Sequence, residues 1–232
     1  MQLFFNESTK KNFHLSREES KHVIKVLRKK EGDLLDFTDG HGNHQIGEVL
    51  KVNNSEVNVL IKRVVKKKKL HNYELNIYIA PTKNSKRFEW FLEKSTEIGI
   101  DNIIPIFCIN SERKKINIKR CKNILKSALK QSKRHYLPKL HEPIKFDEIF
   151  SNKINGDKYI AYCDSRINLK KIICSKANKA VNCLIGPEGD FDKKEINLAA
   201  NNGFTPINFG EAILRTETAG IFITSMVKSF QK

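Results

Sequence analysis

The stretch that most constrains the fold runs from Val181 to Ala219. An apolar run, Val181-Asn182-Cys183-Leu184-Ile185, passes directly into Gly186-Pro187-Glu188-Gly189-Asp190-Phe191. Asp192 and Glu195 then stand at capping-box spacing ahead of Ile196, Leu198, Ala199 and Ala200, which predicts a helix ended by Gly203. A short strand over Pro206-Ile207-Asn208-Phe209 follows. Gly210 to Ala219 then leads into a last helix, predicted over Thr218 to Phe230 with Ile221, Phe222, Met226 and Val227 inward. Two strand ends thus open into glycine-bearing loops before helices. In an open α/β sheet small ligands bind at such places, because side chains and free backbone N–H groups converge there. Ile213-Leu214 is an apolar pair in a loop, and Arg215 and Glu217 come directly after it, which is more than a structural turn needs.

The same grammar begins upstream, at Glu74. Leu75 to Ala80 predicts a strand ending at Pro81-Thr82-Lys83-Asn84, and Lys86 to Ile98 a helix with Phe88, Phe91, Leu92, Ser95 and Ile98 on one side. Glu89, Glu93 and Glu97 line another side beside Lys86, Arg87 and Lys94, a helix-stabilising charge pattern rather than a metal or acid–base set. Ile103 to Phe107 is the next strand, before the basic loop Ser111-Glu112-Arg113. A helix from about Asn117 to His135 turns Ile124, Leu125, Ala128 and Leu129 inward, and Tyr159 to Cys163 forms a strand ending at Asp164-Ser165-Arg166. Alternation of this kind implies an α/β fold, a mostly parallel sheet with helices on both faces. Dinucleotide, P-loop and nucleophile-elbow motifs are absent from the sequence.

Residues 1–70 read differently. Short strands at Gln2 to Phe5, Phe13 to Leu15, Leu34 to Phe37, Gln45 to Val52 and Glu56 to Val65 surround one helix. Ser16 and Glu19 cap that helix, and Val23, Ile24, Val26 and Leu27 face inward. The pattern suggests a small β-barrel, separated by Lys66-Lys67-Lys68-Lys69 from a second domain over residues 71–232. Arg28, ahead of the turn at Gly32, suits a phosphate contact. His41 and His44 sit in a polar hairpin and are expected in solvent rather than on a metal.

A formal net charge of +17 points to a polyanion such as nucleic acid, although abundant Lys, Asn and Ile also fit compositional drift. Arg113 and the run Gln131-Ser132-Lys133-Arg134 suggest an anion-facing edge. Five cysteines, at 108, 121, 163, 174 and 183, form no C-x-x-C pair, so neither a disulfide frame nor a zinc site is indicated, and Cys163 and Cys183 read as core residues. Without a membrane-length apolar run or a signal-like start, a soluble cytoplasmic protein is expected.

Together these residues resemble the SPOUT class of RNA methyltransferases, and within it the bacterial RsmE-like family that methylates uracil N3 in 16S rRNA. The likeness is carried by His22 to Arg28, Lys86 to Gly99, Ser111-Glu112-Arg113, Gln131 to Pro138, Gly186-Pro187-Glu188-Gly189, and Ile213-Leu214-Arg215-Thr216-Glu217-Thr218-Ala219. One position departs: the family's acidic residue before Gln131 is Lys130 here.

The resemblance implies a PUA-like RNA-binding domain followed by a SPOUT domain with a trefoil knot, in a homodimer acting on the 30S subunit. It implies S-adenosyl-L-methionine as cofactor, held by Leu184, Ile185, Gly186, Gly189, Phe209, Gly210, Ile213, Leu214, Thr218 and Ala219. Arg215 would stabilise negative charge on the base, with Glu217 orienting Arg215 or taking a proton. Arg28, Lys83, Arg113, Lys133 and Arg134 would grip the RNA backbone. A non-catalytic rRNA-binding assembly factor, or a methyltransferase acting on a ribose 2′-OH or on tRNA, are the competing readings.

Overall fold

The computed structural model describes residues 2–53, 56–165, 167 and 180–230. Asn54, Ser55, Arg166 and residues 168–179, Cys174 among them, lie outside the described residues. The chain forms two compact units, Met1–Leu70 with Leu129–Leu137, and His71–Ala128 with Pro138–Lys232.

In the first unit β1 (Leu3–Phe5), β2 (Asn12–His14), β3 (Leu34–Thr38), β4 (Asn43–Val52) and β5 (Val57–Lys66) form one sheet in the order β1-β3-β4-β5-β2. β1 pairs with β3 in parallel and the other pairs are antiparallel. Register shifts in β4 at Ile46/Gly47 and Val49/Lys51 curl the sheet, because an extra residue on one strand raises its local twist. Inside the curl Phe4, Phe37, Val49, Val57 and Val59 pack with Leu15, Val23 and Leu35.

The helix α1 (Arg17–Lys21) starts at Ser16, whose hydroxyl accepts from the Glu19 N–H at 3.3 Å. It does not continue as a regular α-helix. A π-turn follows over His22–Val26, with the Leu27 N–H donating to the His22 carbonyl at 3.0 Å. The wider turn shifts later side chains off the inward face, so Val26 is 64% exposed rather than packed, while Val23 stays buried. Arg28 then adopts a left-handed backbone, φ 51°. His44 also departs from expectation: its Nε2 lies 2.7 Å from Asp36 Oδ1 and its side chain is largely buried. A partly buried imidazole beside a carboxylate is better placed in that pair than in water. Lys130, where an acid was expected, meets Glu19 at 3.3 Å.

The second unit is built on β6 (Glu74–Ile79), α2 (Ser85–Ile98), β7 (Asn102–Phe107), α3 (Ile118–Gln131), β8 (Lys139–Leu140), β9 (Ile144–Lys145), β10 (Asp157–Ala161), β11 (Ala180–Ile185), α4 (Lys193–Asn201), β12 (Thr205–Ile207) and α5 (Thr216–Phe230). Among the described residues the sheet runs β12-β10-β11-β6-β7-β8, with β9 also on β7, and its pairs are parallel. The strands that read as continuous apolar runs are those buried on both faces, as a helix-covered parallel sheet requires. On one face Leu184, Ile160 and Ile106 pack with Phe191, Phe204 and Ala199 of α4. On the other, α2 and α5 meet so closely that a Cβ on Gly220 would stand 2.6 Å from the Phe91 ring and 3.2 Å from Ile79 Cδ1. Glycine at 220 is what permits that approach.

Element ends differ from expectation for local reasons. α3 stops at Gln131 rather than His135, because Lys133 takes φ 54°, which no right-handed helix accommodates. β10 ends at Ala161, leaving Cys163 exposed rather than in the core. α5 begins at Thr216, two residues early, and buries Ile223 and Val227 fully but Ile221 and Phe222 only in part. The Glu stripe of α2 is structural, as expected. Arg120 of α3 grips both carboxylate oxygens of Glu89, and Lys94 reaches Glu93 and Glu97 at 2.7 and 2.9 Å. No described helix is long and apolar enough to cross a membrane.

Candidate active site

Parallel strands bring their C-terminal ends to one edge of the sheet. The ends of β10, β11 and β12 lie side by side there, and the segments leaving them enclose a cavity of about 230 Å³. Ala161, Tyr162 and Cys163 form one wall, and Ile185, Gly186, Pro187, Glu188 and Asp190 a second. The segment from Ile207 to Thr216, with Ala219 from α5, closes the rest. The floor is apolar, and backbone polar groups and a few side chains stand around it, the usual make-up of a small-molecule site.

The first loop is tied down at each of its residues that matters. Thr216 Oγ1 donates to the Gly186 carbonyl at 2.9 Å, joining the two glycine loops. The Lys83 N–H donates to Glu188 Oε1 at 3.0 Å. Asn110 Nδ2 donates to the carbonyls of Gly189 and Asp190 at 3.3 and 3.1 Å. Glu195, 3% exposed, accepts from the Asp192 N–H and from the Ile109 N–H, both at 2.9 Å, so the expected capping box also anchors a distant loop. Asp190 holds φ 60°, a left-handed conformation that aspartate and asparagine adopt more readily than most other non-glycine residues.

The second loop is more open. Gly210 has φ 131°, and a Cβ there would meet nothing within 4 Å, so its bare backbone faces free space at the cavity. Ile213, the apolar residue expected on a ligand, is 82% exposed, and Phe209 packs edge-on against Phe222 at 5.5 Å. Glu188, Asp190 and Glu211 give the cavity acidic character beside Arg215. A hydrogen bond from Tyr162 to Asp164 raises the Tyr162 pKa, and the partial desolvation that the otherwise exposed Cys163 retains, then Asp190, raise that of Cys163, so both groups stay protonated at neutral pH.

Of the residues expected on the cofactor, Ile185, Gly186, Phe209, Gly210, Ile213, Leu214 and Ala219 line this cavity. Leu184 does not. One residue before Ile185 on a strand, it points to the opposite face and lies in the core beneath Phe191. Gly189 sits at the outer turn near Asn110. Thr218 lines a second cavity, as two helical residues turn the chain about 200° away from Thr216. The wall from Ala161 to Cys163 was not anticipated. Its signal was the apolar run ending at Asp164, which only the sheet order places beside β11 and β12.

Arg215 lines both cavities, whereas Glu217 faces the second, of about 580 Å³, with Lys86, Arg87, Trp90, Ile213, Leu214 and Thr218. Its ion-pair partner is Arg87, at 3.8 Å, rather than Arg215. Arg113, expected on RNA, instead spends its guanidinium on the chain itself, its Nε donating to the Thr82 carbonyl at 2.9 Å and the Lys83 carbonyl at 3.2 Å. Lys83 Nζ meets Glu112 at 2.7 Å. Arg28, Lys133 and Arg134 belong to the first unit, where Arg28 and Lys133 both hold left-handed backbones.

A chain that carries both a small curled sheet and a parallel α/β unit is also what comparison with known proteins returns. Residues 69–228 match the RNA methyltransferase domain family and residues 15–62 the RNA methyltransferase PUA domain, and the chain belongs to this RNA methyltransferase family. It is 32% identical over 229 residues to the ribosomal RNA small subunit methyltransferase E of Buchnera aphidicola from Acyrthosiphon pisum, covering 94% of this chain and 88% of that one. Among solved structures, a "probable rRNA-methyltransferase" from Porphyromonas gingivalis superposes with a TM-score of 0.92 at 32% identity, over 100% of this chain and 98% of that one. A methyltransferase from Legionella pneumophila, solved with its bound cofactor SAM, gives 0.86 at 26% identity, over 98% and 96%.

Proposed function

We propose that this chain transfers the methyl group of S-adenosylmethionine to N3 of a uridine in 16S rRNA, as a cytoplasmic homodimer acting on the 30S subunit. Residues 1–70 would bind RNA and residues 71–232 would carry the reaction. The observation that carries the reading is the strand-end cavity between two glycine loops, in a chain with near full-length likeness to ribosomal RNA small subunit methyltransferase E. The residues fit the cofactor: bare backbone at Gly210, apolar Ile185, Leu214 and Ala219 for a flat ring, and Glu188, Asp190 and Glu211 to complement a cation.

When bound, the cofactor supplies a methyl group on a positively charged sulfur. Ile185, Gly186, Phe209 and Gly210 hold it by backbone and shape, and the tethering of Gly186 to Thr216 keeps the two loops in register. Uracil N3 carries a proton at neutral pH, and its release to water leaves charge spread over N3, O2 and O4. Arg215, which lines both cavities, stabilises that charge in this reading. Glu217 stands 3.8 Å from Arg87 Nε, with its Oε2 buried and without a hydrogen-bond partner. Because N3 lies on the pairing edge, the uridine enters unpaired or flipped out.

Calorimetric titration with S-adenosylmethionine tests the cofactor step. Saturable binding is expected for the wild type and none for Gly210→Arg, whose side chain would fill the open space at that position. A folded wild-type protein with no affinity would sink the reading.

A further inference from the structure

We propose that the end of β5 and the segment Lys133–Tyr136 form a fixed phosphate-binding surface on the first unit, where Lys67, Lys68 and Lys133 hold the backbone of rRNA whatever its sequence. The choice of polyanion rests on the reading of this chain as an rRNA enzyme. The lysine run itself reads in the sequence as no more than a linker.

The fold ties that run down. β5 continues through Lys66, opposite Asn43 of β4, and the Lys67 N–H donates to the Gly42 carbonyl at 2.8 Å. From the other side Tyr136 Oη donates to the Lys67 carbonyl at 2.9 Å, and the Gly42 N–H donates to the His135 carbonyl at 2.7 Å. Tyr136 lies so close to the hairpin that a Cβ on Gly42 would stand 2.3 Å from its ring. These bonds join Lys67 and Lys68 to the backbone that carries Lys133, and all three side chains are exposed.

Lys133 holds φ 54° just past the end of α3, a helix-terminal position that favours glycine. A lysine kept at such a position points to a use for its charge. The acids of the same hairpin are already engaged. Asp39 accepts from the N–H groups of His41 and Asn43 at 2.8 and 3.2 Å, and Asp36 is paired with His44. Like charges fixed side by side repel, and a polyanion relieves that repulsion. The Tyr136 ring is packed on Gly42 and under Lys66 rather than offered to a base, so the surface fits the phosphate backbone and reads no sequence.

The full chain is titrated by anisotropy, over a range of salt concentrations, with two fluorescein-labelled RNA hairpins of equal length and unrelated sequence. The triple variant Lys67→Gln/Lys68→Gln/Lys133→Gln should bind both more weakly by the same factor. Its slope of log K against log salt should shrink by about 2 to 3, since each lysine on a phosphate contributes about 1. The counterpart Lys67→Arg/Lys68→Arg/Lys133→Arg, which keeps the charges, should match the wild type and so separates charge from folding. Removing the same charge from the second unit, in Lys122→Gln/Lys145→Gln/Lys153→Gln, should leave the slope unchanged. S-adenosylmethionine affinity, measured in all variants by calorimetry, should stay within about twofold of wild type. A wild-type slope in the first triple variant overturns the proposal. So does an equal loss in the second-unit variant, which would mean that only total charge matters. Loss of polyglutamate binding with RNA binding intact would assign the surface to an acidic protein and overturns it too. Failure of rRNA methylation itself would appear in methyl incorporation by the wild type, which none of these titrations reads.

Discussion

Arg113 separates two accounts of the basic loop after β7. Its sequence context suggested an RNA contact, but its guanidinium donates to the carbonyls of Thr82 and Lys83. The next link is the Lys83 N–H, which donates to Glu188 of the first cofactor loop. Arg113→Ala therefore frees the 82–83 segment that supports Glu188. A hydrogen bond from a charged donor contributes about 1.5–3 kcal/mol, and for a half-buried side chain the lower end applies, since water replaces part of what is lost. If the loop must be ordered to hold the cofactor, about 1.4 kcal/mol appears as a tenfold change in affinity. Calorimetry with S-adenosylhomocysteine, without RNA, should show Kd raised roughly 5- to 10-fold. Thermal unfolding should fall by only a few degrees, about 2–4 °C per kcal/mol at this chain length. An unchanged cofactor Kd together with weakened RNA binding would refute the reasoning and return Arg113 to the RNA.

Two further predictions concern stability. Gly220→Ala places a methyl 2.6 Å from the Phe91 ring, so α2 and α5 must separate, and chemical denaturation should show a loss of about 1–3 kcal/mol. His135 of the first unit has its pKa lowered from the ordinary 6.5, first by burial and then by His44 and Lys67. A depressed folded-state value means that the unfolded chain binds the extra proton first. The associated stability is complete above pH 6.5 and is lost as pH falls through the folded-state value. Melting curves of the wild type between pH 7.5 and 5.5 should fall more steeply than those of His135→Asn, and parallel curves would contradict this assignment.

What the sequence revealed was whatever short-range chemistry determines. Asp192 and Glu195 are three residues apart, and their capping box forms as the spacing requires. The alternation of strands and helices after Glu74 gave the parallel sheet, because strand and helix periods differ within a few residues. What stayed hidden depends on partners far along the chain or on a local irregularity. The π-turn that exposes Val26 has no sequence signature in the five residues His22–Val26. The Glu188 to Lys83 and Glu217 to Arg87 contacts join residues over a hundred positions apart. The Ala161 to Cys163 wall follows from β10 lying between β11 and β12, an order no local pattern encodes. The resemblance put Leu184 and Thr218 on the cofactor, yet strand alternation and helical rotation turn both side chains from the strand-end cavity.

The central claim is that two loops at the strand ends present an activated methyl group to the pairing edge of an unpaired uridine. Its most direct test is to incubate the purified protein with S-adenosylmethionine and unmodified small ribosomal subunits, then map reverse-transcription stops along the rRNA. The account predicts one strong new stop, one nucleotide 3′ to a uridine, that depends on the cofactor, since N3 methylation blocks base pairing. Methyl incorporation without a stop would place the methyl group off the pairing edge and contradict it.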